Sequence, residues 1–325
     1  MAALRTIAAI WLLFGAISSA WAQLQPGVRV VTFRGTAFWP AMVAVDKGYY
    51  GPGATLTLVP NSVPQMVGMA KGEFDLAYTL IDNVIAYNEG QGEVKTDRPT
   101  DLVGIFGLTS NEATLMTLPE VKAVAQLRGR TLAVDALTTG NSYVLMEMLR
   151  RLGLAPGDYA LVSVGGANLR DRALEEGKHA GTIPSSPAVR RLAGMGFNVL
   201  GESGKLIGRL EGIVGVVDRT WAAANDSSIV DLVRGTQRAV AWLQEPANEA
   251  EAIAILRRFI PETTVESAQG AFRVVPRELR RDLAIDLEGV RNTMEIRARF
   301  AQLPKALTDA GRYVETRYHR EAMAR

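Results

Sequence analysis

The stretch VRVVTFRGTAFWPAMVAVDKGYYG, residues 28–51, decides how the chain is read. Val28, Val30, Val31 and Phe33 make a short β-branched and aromatic run, which predicts a strand. Arg34-Gly35-Thr36 reads as a turn, and Pro40 opens a helical run, 41–45, that stops at Gly48. Proline suits a first helical turn, where its missing N–H had no partner anyway. Glycine suits the position past a helix because it takes positive φ without a Cβ clash. A strand, an open loop and a helix starting at that loop form a ledge. Its first-turn N–H groups are free and point at whatever fills the loop.

The same unit recurs along the chain. Strands are expected at 55–59, 72–78, 102–108, 131–134, 159–164, 199–200 and 213–217, and helices at 64–71, 82–88, 142–152, 169–176 and 187–194. Asn141 or Ser142 fits the N-cap of the helix that ends before Gly153. Strands separated by single short helices imply parallel sheets with right-handed crossovers. The chain is expected to leave a first lobe at 109–112 and to return at 213–217, after Glu211-Gly212. The result is an α/β chain of two Rossmann-like lobes, 23–108 with 213–325 and 109–212, hinged near 109–112 and 208–212. From Asp218 on the pattern is helical, with helices expected at 227–244, 247–259 and 307–323.

Residues 1–22 carry one charge, Arg5, then an apolar run, then Ala20-Trp21-Ala22. Small residues stand where signal peptidase needs them, so a secretory signal cut after Ala22 and a periplasmic mature chain are expected. Without Arg5 the chain carries 35 basic and 34 acidic residues. That balance argues against a nucleic-acid or membrane-surface binder, which needs a concentrated basic field. Cysteine is absent, and the two histidines, His179 and His319, stand far apart, so zinc and thiol chemistry lack ligands. There is no G-x-S-x-G elbow and no Walker loop. No catalytic residue, metal or cofactor is assigned.

Ala44-Val45-Asp46-Lys47-Gly48-Tyr49-Tyr50, following the aromatic-proline step, resembles the A-x-D-K-G-Y-Y phrase of ABC-importer solute-binding proteins of the nitrate/sulfonate/taurine type. Residues 126–134, QLRGRTLAV, resemble the D-L-K-G-K-x-I-A-V phrase that opens the second lobe there, and 245–250, EPANEA, resembles an N-P-x-E-A step. Residues 177–182 match a G-x-x-D-A pattern loosely, with His179 where aspartate is usual. The resemblance implies a type II periplasmic binding fold with a ligand cleft between hinged lobes. It further implies capture of a small solute by hinge closure, and a monomer that docks on a membrane permease with its cytoplasmic ATPase. A related branch makes a thiamine pyrimidine using cysteines, which this chain does not have. A secreted enzyme on the same fold and a solute-presenting partner of a sensor kinase are the alternative readings.

In a two-lobe α/β protein the loops after the strands face one cleft. Those loops supply Gly35, Phe38, Trp39, Asn61, Tyr78, Thr79 and Asp82 from one side, and Asp135, Thr138, Thr139, Gly140, Asn141, Ser142 and Ser185 from the other. Thr109 and Glu211 lie at the crossings. Phe38 and Trp39 can equally cover the sheet edge, and Ser142 can be spent as a cap. Free helix N–H groups favour a sulfonate, carboxylate or nitrate. If two of Asp82, Glu112, Asp135 and Glu211 face the cleft, an amine or aminopyrimidine is favoured instead. Both ligand classes stay open at this point.

Overall fold

The computed structural model describes residues 27–301 and 306–324. The leader expected at 1–22 lies outside the described residues. A first run holds β1 (Arg29–Phe33), α1 (Trp39–Asp46), β2 (Thr55–Val59), α2 (Ser62–Lys71), β3 (Leu76–Leu80), α3 (Ile81–Asn88) and β4 (Leu102–Gly107). A second holds β5 (Thr114–Thr117), β6 (Thr131–Val134), α4 (Gly140–Arg151), β7 (Ala160–Ser163), α5 (Ala167–Glu175), β8 (Gly181–Thr182), α6 (Ser186–Gly194), β9 (Asn198–Glu202) and α7 (Ser203–Leu206). After β10 (Ile213–Asp218) the described residues are mainly helical. The helices are α8 (Arg219–Ala224), α9 (Asp226–Leu243), α10 (Glu249–Phe259), α11 (Val265–Phe272), α12 (Val275–Glu278), α13 (Leu287–Phe300) and α14 (Arg317–Met323).

The strands form two five-stranded sheets, ordered β2-β1-β3-β10-β4 and β7-β6-β8-β5-β9. β1 is parallel to β2 and β3, and β6 is parallel to β7 and β8, as helical crossovers require. The sheets are not wholly parallel, however. β10 runs antiparallel to β3 and β4, and β5 antiparallel to β8 and β9. Each of these two strands enters from the other sheet, so no crossover within its own sheet sets its direction. An isolated antiparallel bridge between Ser110 and Glu211 ties the two crossings together.

Local chemistry accounts for most boundaries. Asn61 Oδ1 accepts the Val63 N–H at 3.1 Å and caps α2, which ends at Gly72 with φ +72°. Thr139, rather than Asn141 or Ser142, caps α4, its hydroxyl accepting the Ser142 N–H at 3.4 Å. The helix expected over 307–323 is shorter. Ala310–Tyr313 is a 3-10 turn started by Asp309, and Val314 bridges Gly104, so strand-like pairing replaces the helix's first turns.

One core cluster joins the first sheet to α1, α9 and α10, and another joins its opposite face to α2, α3 and α13. A third fills the second lobe. α13 belongs to both lobes. Val290 and Met294 pack into the first-lobe core, whereas Ile296 packs into the second-lobe core and Phe300 stacks on Tyr143 at 6.3 Å. In the first sheet Gly215 lies opposite Phe106, and a Cβ there would come within 2.0 Å of its ring. Gly215→Ala is therefore expected to cost about 1–3 kcal/mol through overpacking. The check is a lower urea midpoint at unchanged slope, partly restored by Phe106→Leu; an unmoved midpoint would refute the packing argument.

Candidate solute-binding cleft

The carboxyl ends of β3 and β6 meet across the lobes. α3 begins directly after β3 with Asp82 in its first turn, and α4 begins at Gly140. A Cβ on Gly140 would lie 2.6 Å from the Asp82 Cβ, so only glycine permits this approach. Asp82 is itself buried and receives a bidentate pair from Arg297 of α13, Nε to Oδ1 at 2.7 Å and Nη2 to Oδ2 at 2.6 Å. The same Nη2 donates to the Thr138 carbonyl at 3.2 Å, and the guanidinium sits 5.0 Å from the Tyr143 ring centre. A buried charge persists only when paired in this manner.

The start of α6 is held by acids as well. Asp171 of α5 accepts the Ser185 N–H at 3.0 Å and the Ser185 hydroxyl at 2.6 Å, and Ser186 donates to Glu278 of α12. Burial pushes the Asp171 carboxyl up against the pull of its Ser185 hydrogen bonds. Burial also raises Glu278, with the Ser186 hydrogen bond opposing and the Glu112 charge adding. Glu93 is raised by burial and then by Asp135. Carboxylates thus gather along the gap between the lobes.

At the crossings, Glu211 is buried and accepts both 2.9 Å and 2.7 Å hydrogen bonds from Arg280 Nη1, together with the Asp286 N–H at 2.9 Å. Burial outweighs the attraction of Arg280 and raises its carboxyl to about 7. Thr109 Oγ1 accepts the Ile213 N–H at 3.1 Å. Both residues therefore fasten the crossings. Beside them opens a cavity of about 600 Å³, lined by Ser110, Asn111, Glu112, Arg209, Arg280 and Glu288 among others. It takes in the expected hinge positions 110–112 and 208–210, Glu112 among them, and none of the loop residues expected to hold solute.

Those residues separate into groups. Asp82, Thr138, Thr139 and Gly140 come together at the interlobe seam, with Asp135 accepting the Thr139 hydroxyl at 2.6 Å and Asn141 half-buried beside them. Ser142 is buried, and its hydroxyl has no partner. Gly35 starts the turn into α1, with Phe38 edge-on to Phe33 at 5.3 Å, while Asn61 is spent capping α2. Three placements correct the sequence reading. Trp39 is fully buried in the first-lobe core, donating Nε1–H to the Ala252 carbonyl at 3.1 Å. Tyr78 is also fully buried, its hydroxyl engaged by Tyr50 and Thr236. Thr79 is spent accepting Asn83 Nδ2–H at 2.8 Å. β3 is buried on both faces, which takes Tyr78 inward, and Trp39 heads the buried start of α1; each ring's polar atom then finds a partner inside the core.

The sequence reading missed Arg297. Val290, Thr293, Met294 and Arg297 fall at i, i+3, i+4 and i+7, so an arginine stands on the buried stripe of α13. That misplaced charge was the available signal.

Residues 22–257 match the NMT1-like family, well over half of the chain. The chain belongs to the NMT1-like family. No match was found among curated proteins. Solved structures similar to this NMT1-like chain include the periplasmic nitrate-binding protein NrtA from Synechocystis PCC 6803, 14% identical, covering 92% of this chain and 88% of that one at TM-score 0.73. The periplasmic aliphatic sulphonate-binding protein SsuA from Escherichia coli is 17% identical, with 90% and 92% covered and a TM-score of 0.67. A zinc-bound ligand-binding component of an ABC-type import system from Staphylococcus aureus is 14% identical, with 92% and 99% covered and a TM-score of 0.70. At these identities the likeness shows the fold: this NMT1-like chain has the two-lobe periplasmic binding architecture. No helix among its described residues is long and apolar enough to cross a membrane.

Proposed function

We propose that the protein is the extracytoplasmic solute-binding component of an ABC importer, exported by residues 1–22 to the periplasm. There it would bind a small solute between its lobes without turning it over. The observation that carries this reading is the meeting of helix starts from both lobes at Asp82 and Gly140. Membership of the NMT1-like family, together with sulfonate- and nitrate-binding neighbours of the same fold, supports it. The lobes are assigned to 23–108 with 213–325 and to 109–212, α13 spanning both, and the monomer delivers its solute to a permease and its ATPase.

Solute contacts are assigned to Gly35, Phe38, Asp135, Thr138, Thr139 and Asn141. The starts of α4 and α6 already carry Asp82, Asp171 and Glu278. A helix start that faces a carboxylate has its partial positive charge answered. The start of α1, beside Gly35, has no acid in its first turn. The arrangement favours a solute with a polar or anionic end at Gly35–Phe38 and an amine toward Asp135 and Glu93. Thermal-shift measurements with ethanesulfonate and with taurine, which differ by one ammonium, test it. Taurine or an aminopyrimidine is expected to raise the melting temperature, since saturation at 100-fold the Kd adds about 2.7 kcal/mol. A larger shift with ethanesulfonate or nitrate overturns the solute class alone. No shift with any of these probes, sulfonate, nitrate or amine, counts against the binding reading.

A further inference from the structure

We propose that α13 and its Arg297–Asp82 pair form a built-in clasp that holds the two lobes closed in the absence of solute. In ordinary hinge closure the ligand supplies the differential affinity by touching both lobes. Here the chain's own guanidinium does so, joining Asp82 of the first lobe to the Thr138 carbonyl and the Tyr143 ring of the second. The helix that carries it is anchored at both ends. Val290 and Met294 sit with Ile81 and Ile85 in the first-lobe core. Ile296 joins the second-lobe core, Phe300 stacks on Tyr143, and Arg299 donates to Glu147 at 3.0 Å. Separating the lobes pulls Asp82 away from Gly140 and Thr138, so Arg297 must abandon one side.

One feature of the seam opposes closure. The Thr138 hydroxyl, on the residue whose carbonyl takes Arg297, is buried without a hydrogen-bond partner. Opening would return it to water, so the closed state carries its desolvation cost. The clasp offsets that cost, and its removal tips the balance toward the open form.

The absence of cysteine makes the test direct. Lys71→Cys on the first lobe and Lys178→Cys on the second, both exposed, accept a spin-label pair whose separation reports opening. The full chain is unfolded in urea and refolded to strip any carried-over solute, so the readout does not depend on what the protein binds. The unsubstituted clasp is expected to give one narrow, short distance. Arg297→Gln should add a longer population, raising the open-to-closed ratio about a hundredfold, and Arg297→Lys should lie between. Asp82→Asn, nearly isosteric, is expected to reproduce the opening and carries the readout should the arginine variant fail to fold by circular dichroism. A long or broad distance with the clasp intact overturns the proposal, as does an unchanged distance in folded variants of either residue.

Discussion

Asp82→Ala is expected to lower the unfolding free energy by about 3–5 kcal/mol, the loss that follows removal of one partner from a buried ion pair. The magnitude rests on burial. The Arg297 and Asp82 side chains are 1% and 5% exposed, so the stranded guanidinium has little access to water. The pair itself need not be worth that much. Its Coulombic attraction is set against the desolvation of two ions, and an apolar pair of similar volume can do as well. The double variant Asp82→Leu with Arg297→Met is therefore expected to recover most of the loss in urea unfolding, while losing the directional contact to Thr138. A cost below about 1 kcal/mol for Asp82→Ala, the range of exposed pairs, would mean that the seam is solvated.

The second large effect concerns pH. Burial outweighs Arg280 and pushes the Glu211 carboxyl up to about 7 in the folded protein, from the 4.5 of a free glutamate. Between those values the native carboxyl holds a proton that the unfolded one has released. Stability contributed by this group is therefore full below 4.5 and is lost as pH rises toward 7. That separation corresponds to about 3 kcal/mol at most. The difference in unfolding free energy between the parent protein and Glu211→Gln should accordingly shift against the parent by up to that amount from pH 4.5 to 8. A shift in the opposite direction would show that Arg280 dominates and holds the carboxylate charged. Glu147 supplies an internal contrast. Burial raises it, but hydrogen bonds from Arg150 and Arg151 and the charge of Arg299 hold it at about 2, so its contribution is lost as pH falls below 4.5.

Much of the fold was legible in local signals. The β1–α1 unit, the strand at 55–59, and the helices after Asn61 and before Gly153 follow from β-branched runs, caps and glycine stops, which act within a few residues. The antiparallel course of β10 was not legible, because direction depends on which sheet a strand enters. The candidate site was legible only as a set of loops. Trp39 and Tyr78 look like ligand platforms when placed at a loop and a strand end, yet helices α10 and α9, 213 and 158 residues away, supply their buried partners.

The opening stretch, 28–51, sets the limits of both kinds of knowledge. Its valines, Pro40 and Gly48 determined a strand, a loop and a helix through conformational preferences intrinsic to each residue. The charge of the gap that this loop faces was decided by tertiary structure alone. Asp82, Gly140 and Arg297 lie far apart in sequence, and electrostatic and desolvation energies depend on distances and burial that arise only when the lobes come together.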